Sequence, residues 1–250
     1  MKLIPAKTPE LVKTIFPSFI WTIDTSEKEL YLTFDDGPTP EVTDWVLEQL
    51  KSYNAKATFF CIGSNINKYP DVFAKILEDG HAVGNHTYNH LKGWKTTSKL
   101  YLEDVKAAQE IIDDSIKKYE VGSGKVEAGS WKLEAKNQDD SLEESKIVNR
   151  QSSIANLFRP PYGKFKSKQS KALQKLGYKV ILWDVLSFDW DATVSEVTCL
   201  NGVLSSTKKG SIIVFHDSLK AKRNLMYVLP RLLEYYSERG FNFKSILFKN

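Results

Sequence analysis

The 250-residue chain predicts a parallel α/β fold, and three observations carry that prediction. Short apolar runs alternate with amphipathic stretches through most of the sequence, the pattern of strands joined by crossover helices. With 42% hydrophobic and 12% aromatic residues, a chain of this length can bury one sizeable core, and α/β barrels of about this size are commonly one domain. Asp35, Asp36, His86, Arg159, Asp189 and His216 also fall at the carboxyl ends of the predicted strands, where parallel α/β folds collect their ligands.

The elements follow in order. The run ELYLTF makes the first strand and ends in the paired carboxylates Asp35 and Asp36. Val42, Trp45, Val46, Gln49, Leu50 and Tyr53 trace a helical face with one polar lapse, and 57–62 form the next strand. After Pro70, the helix DVFAKILEDG presents Val72, Phe73, Ile76 and Leu77, closes at Gly80 and feeds the short strand HAVGNH, so the paired histidines begin where a strand finishes. A longer helix over 98–119 buries Tyr101, Val105, Ala108, Ile112 and Ile116.

From 120 to 153 the pattern dissolves into polar text with five basic and seven acidic residues. A structureless stretch this long is unusual inside a domain and predicts an insertion, a hairpin plus a mobile acidic loop, with Trp131 and Leu133 packing part of it. Alternation resumes with NLF before RPPYG, a helix over 167–176 ending at Gly177, and YKVILWDV as a single buried strand. A helix over 194–207, the strand SIIVFHD, a helix over 224–237 and a final FKSIL strand complete the series.

A net charge of +4 without a dense Lys/Arg block argues against nucleic acid or an anionic membrane as partner and leaves acidic glycans open. Cys61 sits in the apolar run TFFCIG and reads as a buried free thiol, not a partner of the distant Cys199. Polar residues interrupt the first twenty positions, so no export h-region is read there, no membrane span appears elsewhere, and a cytoplasmic location is the expectation.

Two of the chain's four histidines, His86 and His90, stand four residues apart. Imidazoles at that spacing, on a helical turn or in a compact loop, can grip one divalent cation, with a carboxylate as third, harder ligand. Three protein ligands and an open position distinguish a catalytic metal site from a closed structural one. The chain therefore reads as a metal-assisted hydrolase. His81 reads as a surface or supporting residue, Trp183 and Asp184 as structure, and Trp21, Trp45 and Trp94 as packing.

Five ordered motifs, TFDDGP (33–38), HTYNH (86–90), RPPYG (159–163), a motif ending in Asp189-Trp190, and VFH (214–216), resemble the polysaccharide deacetylases of carbohydrate esterase family 4. The resemblance runs from about Glu29 to the C-terminus and leaves the N-terminal segment and the insertion uncovered. It implies a distorted, incomplete (β/α)7-type barrel with parallel strands, forming a single catalytic domain. By the same resemblance Asp36, His86 and His90 hold Zn²⁺, with Co²⁺ or another first-row ion as alternatives. Asp35 is then the general base and His216 the acid that protonates the leaving amine. Arg159 orients the base, Asp189 favours the His216 imidazolium, and Tyr162, Trp190 and Pro160 bind substrate, Tyr162 also through its backbone N–H. Val214 stands where the family usually has leucine. The implied reaction is removal of N-acetyl groups from an amino-sugar-containing polysaccharide, oligosaccharide or glycoconjugate. The alternatives are a metal amidohydrolase on a non-sugar amide or imide, and a non-catalytic carbohydrate-binding relative.

Overall fold

The computed structural model describes residues 6–122 and 157–248. The predicted insertion, with Trp131 and Leu133, lies almost wholly outside the described residues. Strand β1 (Glu29–Asp35) lies inside the sheet and makes three strand pairings. It pairs in parallel with β2 (Ala57–Cys61), which pairs with β3 (Ala82–Asn85), then β4 (Leu157–Phe158) and β5 (Lys179–Val180). On its other side β1 pairs with β7 (Ile212–His216), which carries β6 (Val185–Leu186). This seven-strand parallel path curls into a half-barrel, and β8 (Asn242–Phe243) joins only the first two residues of β1.

The alternation of side chains along the strands decides where chemistry can sit. Leu30, Leu32 and Phe34 of β1, Phe59 and Cys61 of β2, and Ile213 and Phe215 of β7 belong to one buried cluster with the helices. That cluster takes in α2 (Val42–Ser52), α4 (Pro70–Glu78), α7 (Glu196–Ser206) and α8 (Lys222–Ser237) through Val46, Leu50, Phe73, Val203 and Leu229. The intervening residues Tyr31, Thr33 and Asp35, with Ile212, Val214 and His216, therefore face the barrel interior. Each large apolar side chain on the helix face contributes roughly 1.5–3 kcal/mol of burial, which leaves the interior face free to carry polar groups at its upper end.

Helix α5 (Ser98–Gly122) starts at the predicted residue and runs three residues beyond the predicted end. Helix α6 (Ser167–Lys175) matches its expectation. Helices α1 (Glu10–Ile15) and α3 (Gly63–Lys68) were not legible; each is only six residues long, and α1 buries none of its side chains. The expected strand YKVILWDV is two strands on opposite flanks of the sheet, β5 beside β4 and β6 beside β7. Between them, the carbonyls of Ile181 and Leu182 accept from the Arg159 guanidinium. The N-terminal segment seals this seam: Leu182 N–H donates to Ile20, Thr8 N–H to Asp184, and Leu186 N–H to Ala6. Asp184, fully buried, takes Lys13 at 2.5 Å and the Ser211 hydroxyl at 2.7 Å, which fits its structural reading. Of the expected FKSIL strand only Phe243 lies in β8, and Ile246 N–H further on donates to the Thr58 hydroxyl. Among the described residues no helix is long and apolar enough to cross a membrane.

Candidate active site

The β1–β7 register pairs Asp35 directly with His216 on the last rung of the sheet. Two candidate proton-transfer groups thus stand side by side on the interior face at the carboxyl ends of two neighbouring strands. One residue further, Asp36 turns out of the strand with φ 80°. That turn is pinned from three sides. Asn65 of α3 donates to the Asp36 carbonyl (2.7 Å), Asp217 N–H donates to the Asp35 carbonyl (3.1 Å), and Gly37 N–H donates to Asp217 Oδ1 (3.0 Å). Asp217 Oδ2 accepts the Thr43 hydroxyl at 2.6 Å. Burial and the charge of Asp36 push Asp217 up to about 7 against these hydrogen bonds. Nothing in the sequence patterning marks Asp217, which sits beside His216 and holds the turn opposite it.

His86 and His90 lie in a compact loop, not on a helical turn. Thr87 (φ 65°) and His90 (φ 54°) reverse the backbone. Asn85 Oδ1 accepts Thr87 N–H, and Asp104 of α5 accepts the N–H groups of Tyr88 and Asn89 and the Asn89 amide. The two rings stand 5.1 Å apart, and the donor atoms of Asp36, His86 and His90 all lie within 4.8 Å of one another. His86 Nδ1 is 2.8 Å from the Arg159 carbonyl. A carbonyl only accepts, so Nδ1 carries the proton and Nε2 presents its lone pair. Burial pushes His86 down to about 4, so its ring is neutral at pH 7.

A neutral imidazole lone pair aimed at a carboxylate is an arrangement that suits a cation. Nε2 of His86 is 3.7 Å from Asp36 Oδ1, and Nε2 of His90 is 3.2 Å from it. Two donors each bound about 2.1 Å from one tetrahedral ion stand roughly 3.4 Å apart, a spacing the two observed distances bracket. Burial works against the Asp36 carboxylate, but the His90 hydrogen bond and the charge of His216 hold it well below the usual range. The donor set therefore fits a divalent metal.

Arg159, fully buried, lies beneath Asp35. Its Nη1 donates to Asp35 Oδ1 and to the Thr33 hydroxyl, both at 2.7 Å, while Nε and Nη2 reach the Ile181 and Leu182 carbonyls at 3.1 and 3.0 Å. Its guanidinium carbon lies 4.1 Å from the centre of the Phe60 ring. Across the cleft, His216 Nδ1 donates to Asp189 Oδ1 at 2.8 Å, and His216 N–H donates to Asp189 Oδ2 at 2.8 Å. Ser187 Oγ donates to the same carboxylate at 2.8 Å. Burial disfavours the His216 imidazolium, but the Asp189 charge and hydrogen bond, helped by Asp36 and Asp35, outweigh it and raise the ring to about 9.

These groups open into a cleft of about 440 Å³ lined by Asp35, Asp36, His86, His90, Tyr162, Trp183, Leu186, Trp190, Val214, His216 and Lys220. Tyr162 and Trp190 border it as expected, Tyr162 in a turn with φ 60° and its ring 4.8 Å from that of His90. Two readings need correction. Pro160 is buried and does not line the cleft; its carbonyl accepts Gly163 N–H, so it shapes the turn that presents Tyr162. Trp183, read as structure, does line the cleft, because the chain crosses the seam there instead of continuing as a strand. Trp94, read as packing, packs edge-on against Tyr162 at 5.4 Å. His81 is a supporting group: its Nδ1 accepts Ala57 N–H, and burial lowers it to about 4.

A family model described as polysaccharide deacetylase matches residues 22–143. The chain is 32% identical over 195 residues to a chitooligosaccharide deacetylase of Azorhizobium caulinodans, covering 78% of this chain and 76% of that protein. It is 29% identical over 228 residues to a peptidoglycan-N-acetylglucosamine deacetylase of Bacillus cereus, covering 90% of each. A crystal structure of a peptidoglycan N-acetylglucosamine deacetylase in complex with an N-oxidanyl-benzamide superposes with a TM-score of 0.74 at 25% identity, covering 96% of this chain and 95% of that one. The chain belongs to the polysaccharide deacetylase family.

Proposed function

We propose that this chain is a metal-dependent hydrolase that removes N-acetyl groups from an amino-sugar-containing glycan, with Asp35 as general base and His216 as general acid. The observation that carries the reading is the rung pairing of Asp35 with His216 beside a donor set of Asp36, His86 and His90. A divalent ion held by those three supplies Lewis-acid polarisation and acidified water. The protein's own groups do the rest. Arg159 keeps one Asp35 oxygen engaged and fixes the carboxylate at the cleft surface, where it takes a proton from the attacking water. Because Nδ1 of His216 is committed to Asp189, the proton available to the departing amine is on Nε2. An amine leaves readily only when protonated, and an imidazolium persisting to about pH 9 meets that need. Trp190 and Tyr162 supply flat apolar walls to a sugar ring.

The test is acetate release from N-acetylated oligosaccharides, run beside cyclic imides. Chelation is expected to abolish release and zinc or cobalt to restore it, while Asp35→Asn keeps stoichiometric metal yet loses turnover. Turnover by the Asn variant would overturn the base assignment, and hydrolysis of the imides alone would overturn the glycan substrate.

A further inference from the structure

The chain-wide charge of +4, without a dense Lys/Arg block, argues against an anionic membrane as partner, but it averages over a local imbalance. Residues 91–102 and 157–183 contain no Asp or Glu and carry nine lysines between them. Far apart along the chain, the two stretches lie against one another in the fold. Gln169 of α6 donates to the carbonyls of Gly93 (3.0 Å) and Thr96 (3.3 Å), and Lys166 Nζ donates to the Thr96 carbonyl (2.7 Å). Helix α6 buries Gln169, Ser170 and Leu173. Its opposite face therefore sets out Lys168, Lys171 and Lys175, an i, i+3, i+7 row about 10 Å long. Lys92 and Lys95 come from the turn that Gln169 holds, and Lys164 leads into α6 from the turn of Tyr162. All six are exposed, and among the described residues none pairs with a carboxylate. Glu103, the acid that ends the first stretch, lies 4.0 Å from Lys99.

Apolar side chains stand out of the same surface. Trp94, between Lys92 and Lys95, is 37% exposed, and Leu100, beside Lys99, is 53% exposed. Lysines alone suit any polyanion. A hydrated polymer would leave Trp94 and Leu100 in water, whereas the headgroups of an anionic bilayer take the ammonium groups and its interface takes the apolar tips. The face also borders the cleft, since Lys92 Nζ lies 5.5 Å from the centre of the Tyr162 ring and Trp94 packs on that ring.

We propose that this face docks the protein on an anionic lipid surface, with the cleft mouth at the edge of the contact. The experiment is cosedimentation of the full, metal-loaded chain with vesicles of phosphatidylcholine alone and of phosphatidylcholine mixed with phosphatidylglycerol, beside a binding titration with polyphosphate as a soluble polyanion. Wild type is expected on the phosphatidylglycerol vesicles only, and it should come off as ionic strength rises. Each lysine near a charged bilayer is worth a factor of about five in partitioning, so Lys168→Gln, Lys171→Gln and Lys175→Gln together should weaken binding about a hundredfold. All three side chains are exposed and none lines the cleft, so the triple variant should keep the wild-type melting curve, which separates lost docking from lost folding. Leu100→Ser should weaken vesicle binding while leaving polyphosphate binding unchanged. Equal binding to both kinds of vesicle, binding to neither, or vesicle binding unmoved by the triple variant overturns the proposal. Binding of polyphosphate without binding of vesicles also overturns it and assigns the face to a soluble polyanion.

Discussion

Replacing Arg159 with lysine keeps the charge beneath Asp35 but removes the fork that ties three strands together. The guanidinium reaches Asp35 and Thr33 on β1 and the Ile181 and Leu182 carbonyls at the seam between β5 and β6, four acceptors in different directions. A lysine ammonium offers three donors from one point and cannot span them. If it stays with Asp35, the two seam carbonyls lose their donor in a dry interior, at about 1–3 kcal/mol each before relaxation. The loss should therefore be about 2–5 kcal/mol. In a chain of this size 1 kcal/mol shifts Tm by roughly 2–4 °C, so melting should fall by about 4–20 °C. Circular dichroism melts and urea midpoints of Arg159→Lys measure this, with Arg159→Met as the more severe case, because stripping one partner from a buried pair typically costs about 3–5 kcal/mol and strands the Asp35 charge. A lysine variant that melts within a degree of wild type would refute the reasoning, since the seam would then be held by the N-terminal segment alone.

Three further outcomes follow from the same geometry. A methyl at Gly37 would sit 2.0 Å from Asp217 Oδ2 and 2.5 Å from its Oδ1 and Cγ, so Gly37→Ala should cost about 1–3 kcal/mol and also weaken zinc retention through the adjoining Asp36. Melting curves together with zinc content by atomic absorption decide it, and wild-type values in both would show that the turn has slack. His216 is raised to about 9, above its unfolded value of 6.5, so the stability from its pairing is complete below pH 6.5 and is lost as pH rises through about 9. Turnover should decline over the same alkaline range. Asp189→Asn should bring that decline to lower pH, and an unmoved midpoint in the pH–rate profile and in NMR titration of His216 would remove Asp189 from the role.

How far the fold could be read depended on the reach of each interaction. The runs in β1, β2 and β7 declare themselves because both of their faces are buried and sequence-local hydrophobicity reports that directly. YKVILWDV has the same composition, yet its middle serves an arginine 22 residues upstream and a segment more than 160 residues away, and no periodicity within the run can record that. The short α1 and α3 are set by where neighbouring elements place them, with too few apolar positions to make a face of their own.

The site divides in the same way. Side chains able to do chemistry are legible because few residue types qualify, and the spacing of His86, His90 and the paired aspartates narrows the choice further. The groups that hold them, Asp217, Asp104, Asn65 and Asn85, are ordinary polar residues whose targets are backbone amides and carbonyls of other elements. Those supports answer a physical demand. Convergence of the donors places Asp36, Thr87 and His90 at positive φ, with Tyr162 alike on the cleft wall, and a non-glycine residue in that region costs about 1–3 kcal/mol. Such strain persists only where surrounding bonds overdetermine the backbone. Asp104 and Asp217 each turn a carboxylate inward to hold a strained loop, so the shape of the metal donor set is maintained by acids that never touch it.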